Sequence, residues 1–155
     1  MAELEQLYQQ VIMDHARLRH GSGPLADFDG ESFQVNPTCG DEVRLRVKLA
    51  YDGEPTVAAI GWEGQGCSIS QASLSLMHDL TAGHTLREVE DLGELFRQMM
   101  HSRGDFPEEK ADELEDASAL VGVSKFPARV KCALLGWMAL RGAIAQALAE
   151  PTEEQ

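Results

Sequence analysis

The stretch Asp41-Glu42-Val43-Arg44-Leu45-Arg46-Val47-Lys48-Leu49-Ala50 decides the fold. Val43, Leu45, Val47 and Leu49 alternate strictly with Arg44, Arg46 and Lys48. A period of two puts every apolar side chain on one face of a strand and every charge on the other. Asp52-Gly53-Glu54-Pro55 supplies a turn, and Thr56 to Glu63 returns as the partner strand, with Ala58, Ile60 and Trp62 expected on its inner face. Antiparallel pairing then brings the two outer ends of the hairpin together. Those ends lead into Asn36-Pro37-Thr38-Cys39-Gly40-Asp41 and Gly64-Gln65-Gly66-Cys67-Ser68-Ile69-Ser70, so Cys39 and Cys67 become neighbours although far apart in sequence. Pro37 fixes its own φ and Gly40 can enter backbone regions closed to other residues, which lets Cys39 and Asp41 point the same way.

Helical periodicity surrounds this hairpin. Leu4, Leu7, Tyr8, Val11 and Ile12 predict an amphipathic helix from residue 2 to about 18, expected to pack across the sheet. Gly21 to Pro24 ends it, and a short alternating segment near Ser32-Phe33-Gln34-Val35 leads to the Cys39 turn. Ser68 with Gln71, and Thr85 with Glu88, read as capping boxes opening two further helices, the first running to Gly83. Cys67 therefore precedes a helix N-terminus, where amides and the helix dipole favour thiolate over thiol. The acidic stretch from Asp105 reads as a solvated face with some helical character as far as Leu120, broken at Gly122. Ser124 is placed to cap a last helix that has Pro127 in its first turn and Cys132 in its opening turns. Val130, Leu134, Trp137, Met138, Ile144 and Leu148 are expected to bury its face, and Met99 and Met100 read as core filler. The elements predict an α+β fold, a small antiparallel sheet with helices, in one domain over residues 1–150 followed by a disordered tail, 151–155.

The totals exclude several classes. A net charge of -13, from 13 basic and 26 acidic residues, repels nucleic acid and anionic lipid. No apolar run approaches the roughly 20 residues of a membrane span, and the acidic N-terminus lacks a secretory layout. Three cysteines, an odd count, argue against a disulfide framework and for a reducing cytosol. Three thiols and Asp41 make four donors that suit either zinc or an iron-sulfur cluster, and the ligand set does not choose between them. His15, His20, His78, His84 and His101 have no spacing that commends any of them as a replacement for Asp41, and read as surface or satisfied histidines. A metal-dependent hydrolase would need an open position and a neighbouring general base, for which no acid or histidine is well placed.

The blocks Asn36 to Asp41, Gly64 to Ser70, and Gly122-Val123-Ser124-Lys125-Phe126-Pro127-Ala128-Arg129-Val130-Lys131-Cys132 resemble, in order, those of the U-type iron-sulfur biogenesis proteins, in particular the SufU branch. The resemblance spans about residues 2 to 148. It implies a three-stranded sheet with helices on one face and zinc held by Cys39, Asp41, Cys67 and Cys132. It also implies a zinc-dependent sulfurtransferase in the cytoplasm, with a PLP-dependent cysteine desulfurase of the SufS type as donor and downstream iron-sulfur assembly proteins as recipients. Cys39 is then the sulfur acceptor, released from zinc by a histidine of the desulfurase, and Arg129 and Lys131 resemble the family's basic pair near the metal. The scaffold branch, which would hold a [2Fe-2S] cluster on the same ligands, is the alternative. Lys131 stands where that branch has a histidine, Phe126 to Val130 replaces its Leu-Pro-Pro-Val-Lys stretch, and Met100 to Val121 resembles a SufU-type insertion.

Overall fold

The computed structural model describes residues 2–149, with side chains described from residue 5 onward. The expected tail at 151–155 and the side chain of Leu4 lie outside the described residues. Three strands, β1 (Gly30–Asn36), β2 (Asp41–Ala50) and β3 (Thr56–Gln65), form an antiparallel sheet in that order. The alternation that marked β2 is borne out: Val43, Leu45 and Val47 are fully buried, Leu49 nearly so, and Arg44 faces out. Asn36 pairs with Asp41, and Glu42 with Gln65, so the turn 37–40 and the far end of β3 share one edge of the sheet.

The inner face of β3 departs from simple alternation. Lys48 pairs with Ala59 but Leu49 pairs with Val57, leaving Ala58 as the extra residue of a bulge. Val57 is therefore buried beside Ile60 and Trp62, and Ala58 is exposed. A bulge shifts the side-chain phase by one residue, which a period-two reading cannot register.

The helices α1 (Ala2–Leu18), α2 (Ser68–Thr81), α3 (Leu86–Met100) and α5 (Pro127–Ala149) complete the core, with a short α4 (Glu108–Asp112) and a run of 3₁₀ turns, Glu115–Lys125. α5, not α1, lies across β1 and β2, while α1 runs along α2. The reason is close approach. A Cβ added to Gly30 would collide with Ala143 and Ala147, and one added to Gly136 would meet Leu74. The buried face of α5 is correspondingly built from Ala133, Ala139, Ala143 and Ala147 together with Val130, Leu135, Trp137 and Leu140, whereas Met138 and Leu148 are exposed and Leu134 and Ile144 half-buried. Hydrophobicity marked the large residues, but the tight seat on the sheet is made by small ones. α5 is long and apolar enough to cross a membrane by length and composition, contrary to expectation, but it is the core helix of this fold, half-buried among its neighbours.

Thr85 and Glu88 form the expected capping box of α3. Phe96 of that helix stacks on Trp137 at 5.1 Å, and Met99 and Met100 are core residues, each worth about 1.5–3 kcal/mol of burial. The acidic stretch is not simply a wet face: Ala111, Leu114, Ala117 and Leu120 are buried, and the 3₁₀ run passes through Gly122 to Lys125. Ser124 does not cap α5, because its hydroxyl donates to Val121 O and accepts from Gly104 N–H.

Candidate metal centre

Each thiol is delivered by a different element. Cys39 stands in the turn 37–40, where the N–H groups of Cys39 and Gly40 donate to Asn36 O at 3.2 and 2.9 Å. Gly40 has φ +73, the left-handed backbone that returns the chain to β2 at once. Asp41 opens β2 and is completely buried. Its Oδ1 accepts the Cys67 N–H at 2.9 Å, which ties the start of α2 to the sheet.

Cys67 is the N-cap residue of α2, with extended backbone and no side-chain cap. The expected Ser68–Gln71 box does not form: the Gln71 amide is taken by Arg19 at the end of α1, and Ser70 Oγ donates to Cys67 O at 3.0 Å. Gly66 permits the close approach, since a Cβ there would collide with Asp41 Oδ1 and Ser70 Oγ. Cys132, buried in the opening turns of α5, comes over the same sheet edge.

Its Sγ lies 3.3 Å from Cys39 Sγ, and Asn36 Nδ2 donates to it at 3.9 Å. Cys67 Sγ lies 4.0 Å from Asp41 Oδ2. The donor atoms of Cys39, Asp41 and Cys132 all lie within 4.8 Å of one another. The structure thus gathers Cys39, Asp41 and Cys132 into one group, with Cys67 beside it against Asp41. The sulfurs are free thiols, since a disulfide would hold them about 2.05 Å apart.

The donor set fits a thiophilic cation. A tetrahedral ion with metal–sulfur bonds of about 2.3 Å sets donors roughly 3.8 Å apart, close to the separations above. Burial first, and then the neighbouring Asp41, Cys39 and Cys67, push the Cys132 thiol far above its ordinary range. Among the described residues no lysine or arginine forms an ion pair with Asp41. Four groups that are all anionic when ionised share this edge, a charge that a cation would balance.

Arg129 and Lys131 are exposed, and the Arg129 guanidinium rests over the Phe126 ring at 5.6 Å. Sequence reasoning missed Asn36, a buried donor to Cys132, whose signal was its place at the strand end before the proline. It also missed that His15 and His20 gather around Asp79 at a separate place. Cys39 and Cys67 are exposed at the sheet edge, whereas a groove of about 330 Å³ lies elsewhere, between α3 and α5 around Val89, Trp137 and Ile144.

Residues 7–133 match the NifU-like N terminal domain. The chain belongs to that family. This NifU-like domain is 42% identical over 145 residues to the zinc-dependent sulfurtransferase SufU of Bacillus subtilis (strain 168), covering 94% of each chain. It is 40% identical over 146 residues to the iron-sulfur cluster assembly scaffold protein IscU of Streptococcus pyogenes serotype M1, covering 93% of this chain and 86% of the relative. Among solved structures it resembles a protein described as an iron-sulfur cluster assembly scaffold for the SUF system of Fervidobacterium islandicum AW-1. That match has a TM-score of 0.73 at 30% identity, over 90% of this chain and 97% of the other.

Proposed function

We propose that this NifU-like domain is a zinc-dependent sulfurtransferase of iron-sulfur cluster assembly, acting in the cytoplasm. It takes sulfur from the persulfide of a PLP-dependent cysteine desulfurase of the SufS type and passes it to downstream assembly proteins. The observation that carries this reading is the convergence of Cys39, Cys67, Cys132 and buried Asp41 at an exposed sheet edge, in a chain 42% identical to a zinc-dependent sulfurtransferase. These four residues would hold the zinc, which would supply positive charge that keeps the thiols ionised, buried Cys132 among them.

Cys39 is the acceptor. Its turn is exposed, and the chain can swing it without disturbing an element. Cys67 is less free, because its N–H and carbonyl anchor the start of α2, and Cys132 is buried within α5. In the transfer, the Cys39 thiolate attacks the outer sulfur of the donor persulfide. A bond forms between Cys39 Sγ and that sulfur, the donor's sulfur–sulfur bond breaks, the donor cysteine leaves as thiolate, and the proton stays on the transferred sulfur. Asp41, fixed by the Cys67 amide, holds the remaining thiols in place while Cys39 moves.

The test is a desulfurase reaction with cysteine, followed by mass measurement of each cysteine-bearing peptide. One added sulfur on Cys39, absent from Cys39→Ala along with stimulation of the desulfurase, is the expected result. Wild-type stimulation and sulfur uptake in Cys39→Ala would overturn it. The 40% identity to a protein named as a scaffold favours a second reading, in which the same residues carry a [2Fe-2S] cluster. A brown protein containing iron and sulfide, instead of a colourless one with a single zinc, would select that reading.

A further inference from the structure

A second group of donors lies away from the thiols. Asp79 sits near the C-terminal end of α2, about 18 Å further along the helix axis than Cys67 at about 1.5 Å per residue. Its two carboxylate oxygens each meet an imidazole: Oδ2 lies 2.6 Å from His20 Nδ1, and Oδ1 lies 3.0 Å from His78 Nδ1. His15, from the last turn of α1, stands edge-on to His20 with ring centroids 5.1 Å apart. One donor atom from each of His15, His20 and Asp79 lies within 4.8 Å of the others.

The neighbouring structure fixes these side chains. Arg19 adopts φ 51, a left-handed turn that reverses the chain after α1 and lays His20 back beside His15. That turn is pinned by the Arg19 guanidinium, which bonds Gln71 and lies 4.8 Å from the Trp62 ring centroid. The His20 carbonyl accepts the Trp62 indole N–H at 2.8 Å. Ser75 Oγ lies 2.7 Å from His15 Nδ1 and accepts the His20 backbone N–H at 2.9 Å. The Ser75 hydroxyl thus holds one ring nitrogen of His15, the arrangement in which a partner on the second ring nitrogen orients a metal-ligating histidine.

We propose that His15, His20 and Asp79 form a second metal site, for a borderline divalent transition-metal ion of the zinc type, with His78 and Ser75 as its outer supports. Two neutral imidazoles and one carboxylate leave open coordination positions and a net charge of -1 for the cation to meet. The ion takes the place of the proton between His20 Nδ1 and Asp79 Oδ2, and that proton goes to solvent. Metal–donor bonds of about 2.0–2.2 Å set tetrahedral donors roughly 3.3–3.6 Å apart, between the 2.6 Å of the His20–Asp79 pair and the 4.8 Å within which all three donors lie. The His20 and Asp79 side chains are 41% and 43% exposed and free to adjust to that spacing.

The test titrates zinc into protein whose thiol site is already zinc-saturated, following bound metal by dialysis and the imidazole nitrogens by long-range proton–nitrogen correlation spectra. One further zinc is expected, shifting His15 and His20 resonances. His20→Gln and Asp79→Asn should each weaken it by about 10- to 100-fold. His84→Gln, which alters a histidine paired with Glu88 on the surface, should leave it unchanged. No further zinc, wild-type affinity in both cluster variants, or equal loss in His84→Gln would overturn the assignment. Failure of the sulfur-transfer reading would leave the outcome unaffected, because the measurement uses neither a desulfurase nor Cys39.

Discussion

The thiol edge and the imidazole cluster both collect metal-type donors from elements distant in sequence, yet they handle charge in opposite ways. At the thiol edge every donor becomes anionic on ionising, Asp41 is fully buried, and no basic side chain balances it among the described residues. At the cluster the donors balance one another, since His20 and His78 can each share a proton with Asp79. At the first site burial and its neighbours hold the Cys132 thiol in its neutral form, whereas at the second His20 and His78 hold Asp79 ionised in spite of burial. The difference teaches that donor proximity alone does not make a site dependent on metal; the dependence comes from buried charge that has no other partner.

The largest effect expected from this contrast is at Cys132. Cys132→Ser should weaken zinc binding by more than about a hundredfold, since one ligand of four carries roughly 3 kcal/mol of an affinity of about 10–16 kcal/mol. Competition with a chromogenic chelator measures it, and wild-type affinity in this variant would erase the distinction between the two sites. Next comes Gly66→Ala. The added methyl group would displace the Asp41 carboxylate, so zinc affinity should fall by about 10- to 100-fold while binding at the imidazole cluster stays as it was.

The smallest effect is in the pH dependence of the metal-free protein. Burial, helped by the neighbouring His20, holds the folded His15 pKa below 6.5 against the raising influence of Asp79, Asp116 and Asp14. The unfolded chain then binds the proton more readily, so this contribution is complete above pH 6.5 and is lost as pH falls toward the folded pKa. The Asp79 carboxyl, held below its ordinary value by His20 and His78 in spite of burial, adds a second loss only at lower pH, below 3.8. Urea midpoints should therefore decline slightly as pH is lowered from 7 toward 5, and His15→Asn should flatten that decline. An equal slope in the variant would show that the cluster is no more than exposed histidines.

Much of this was legible in the chain. Strict alternation in Val43 to Leu49 and the paired glycine-rich turns placed Cys39 and Cys67 at one edge of the sheet, because antiparallel pairing follows from the pattern itself. The capping box at Thr85 was legible for the same local reason. The box at Ser68 was not, because Gln71 is claimed by Arg19, a residue from another helix. Ala58 was misjudged because one extra residue in a bulge changes the face of its neighbours, and α5 because its seat on β1 needs small residues. The histidines looked idle because no spacing links His15 and His20 to Asp79; their link is the left-handed turn at Arg19.

By itself the amino-acid order determined the α+β class, the hairpin and the shared sheet edge of the Cys39 and Cys67 turns, since each depends on period and turn chemistry within a short window. Tertiary structure alone decided which helix covers the sheet, how deeply Cys132 and Asp41 are buried, and that His15, His20 and Asp79 meet. Those outcomes depend on how closely two backbones can approach and which side chain wins a shared partner, and both are set only when distant segments compete for the same space.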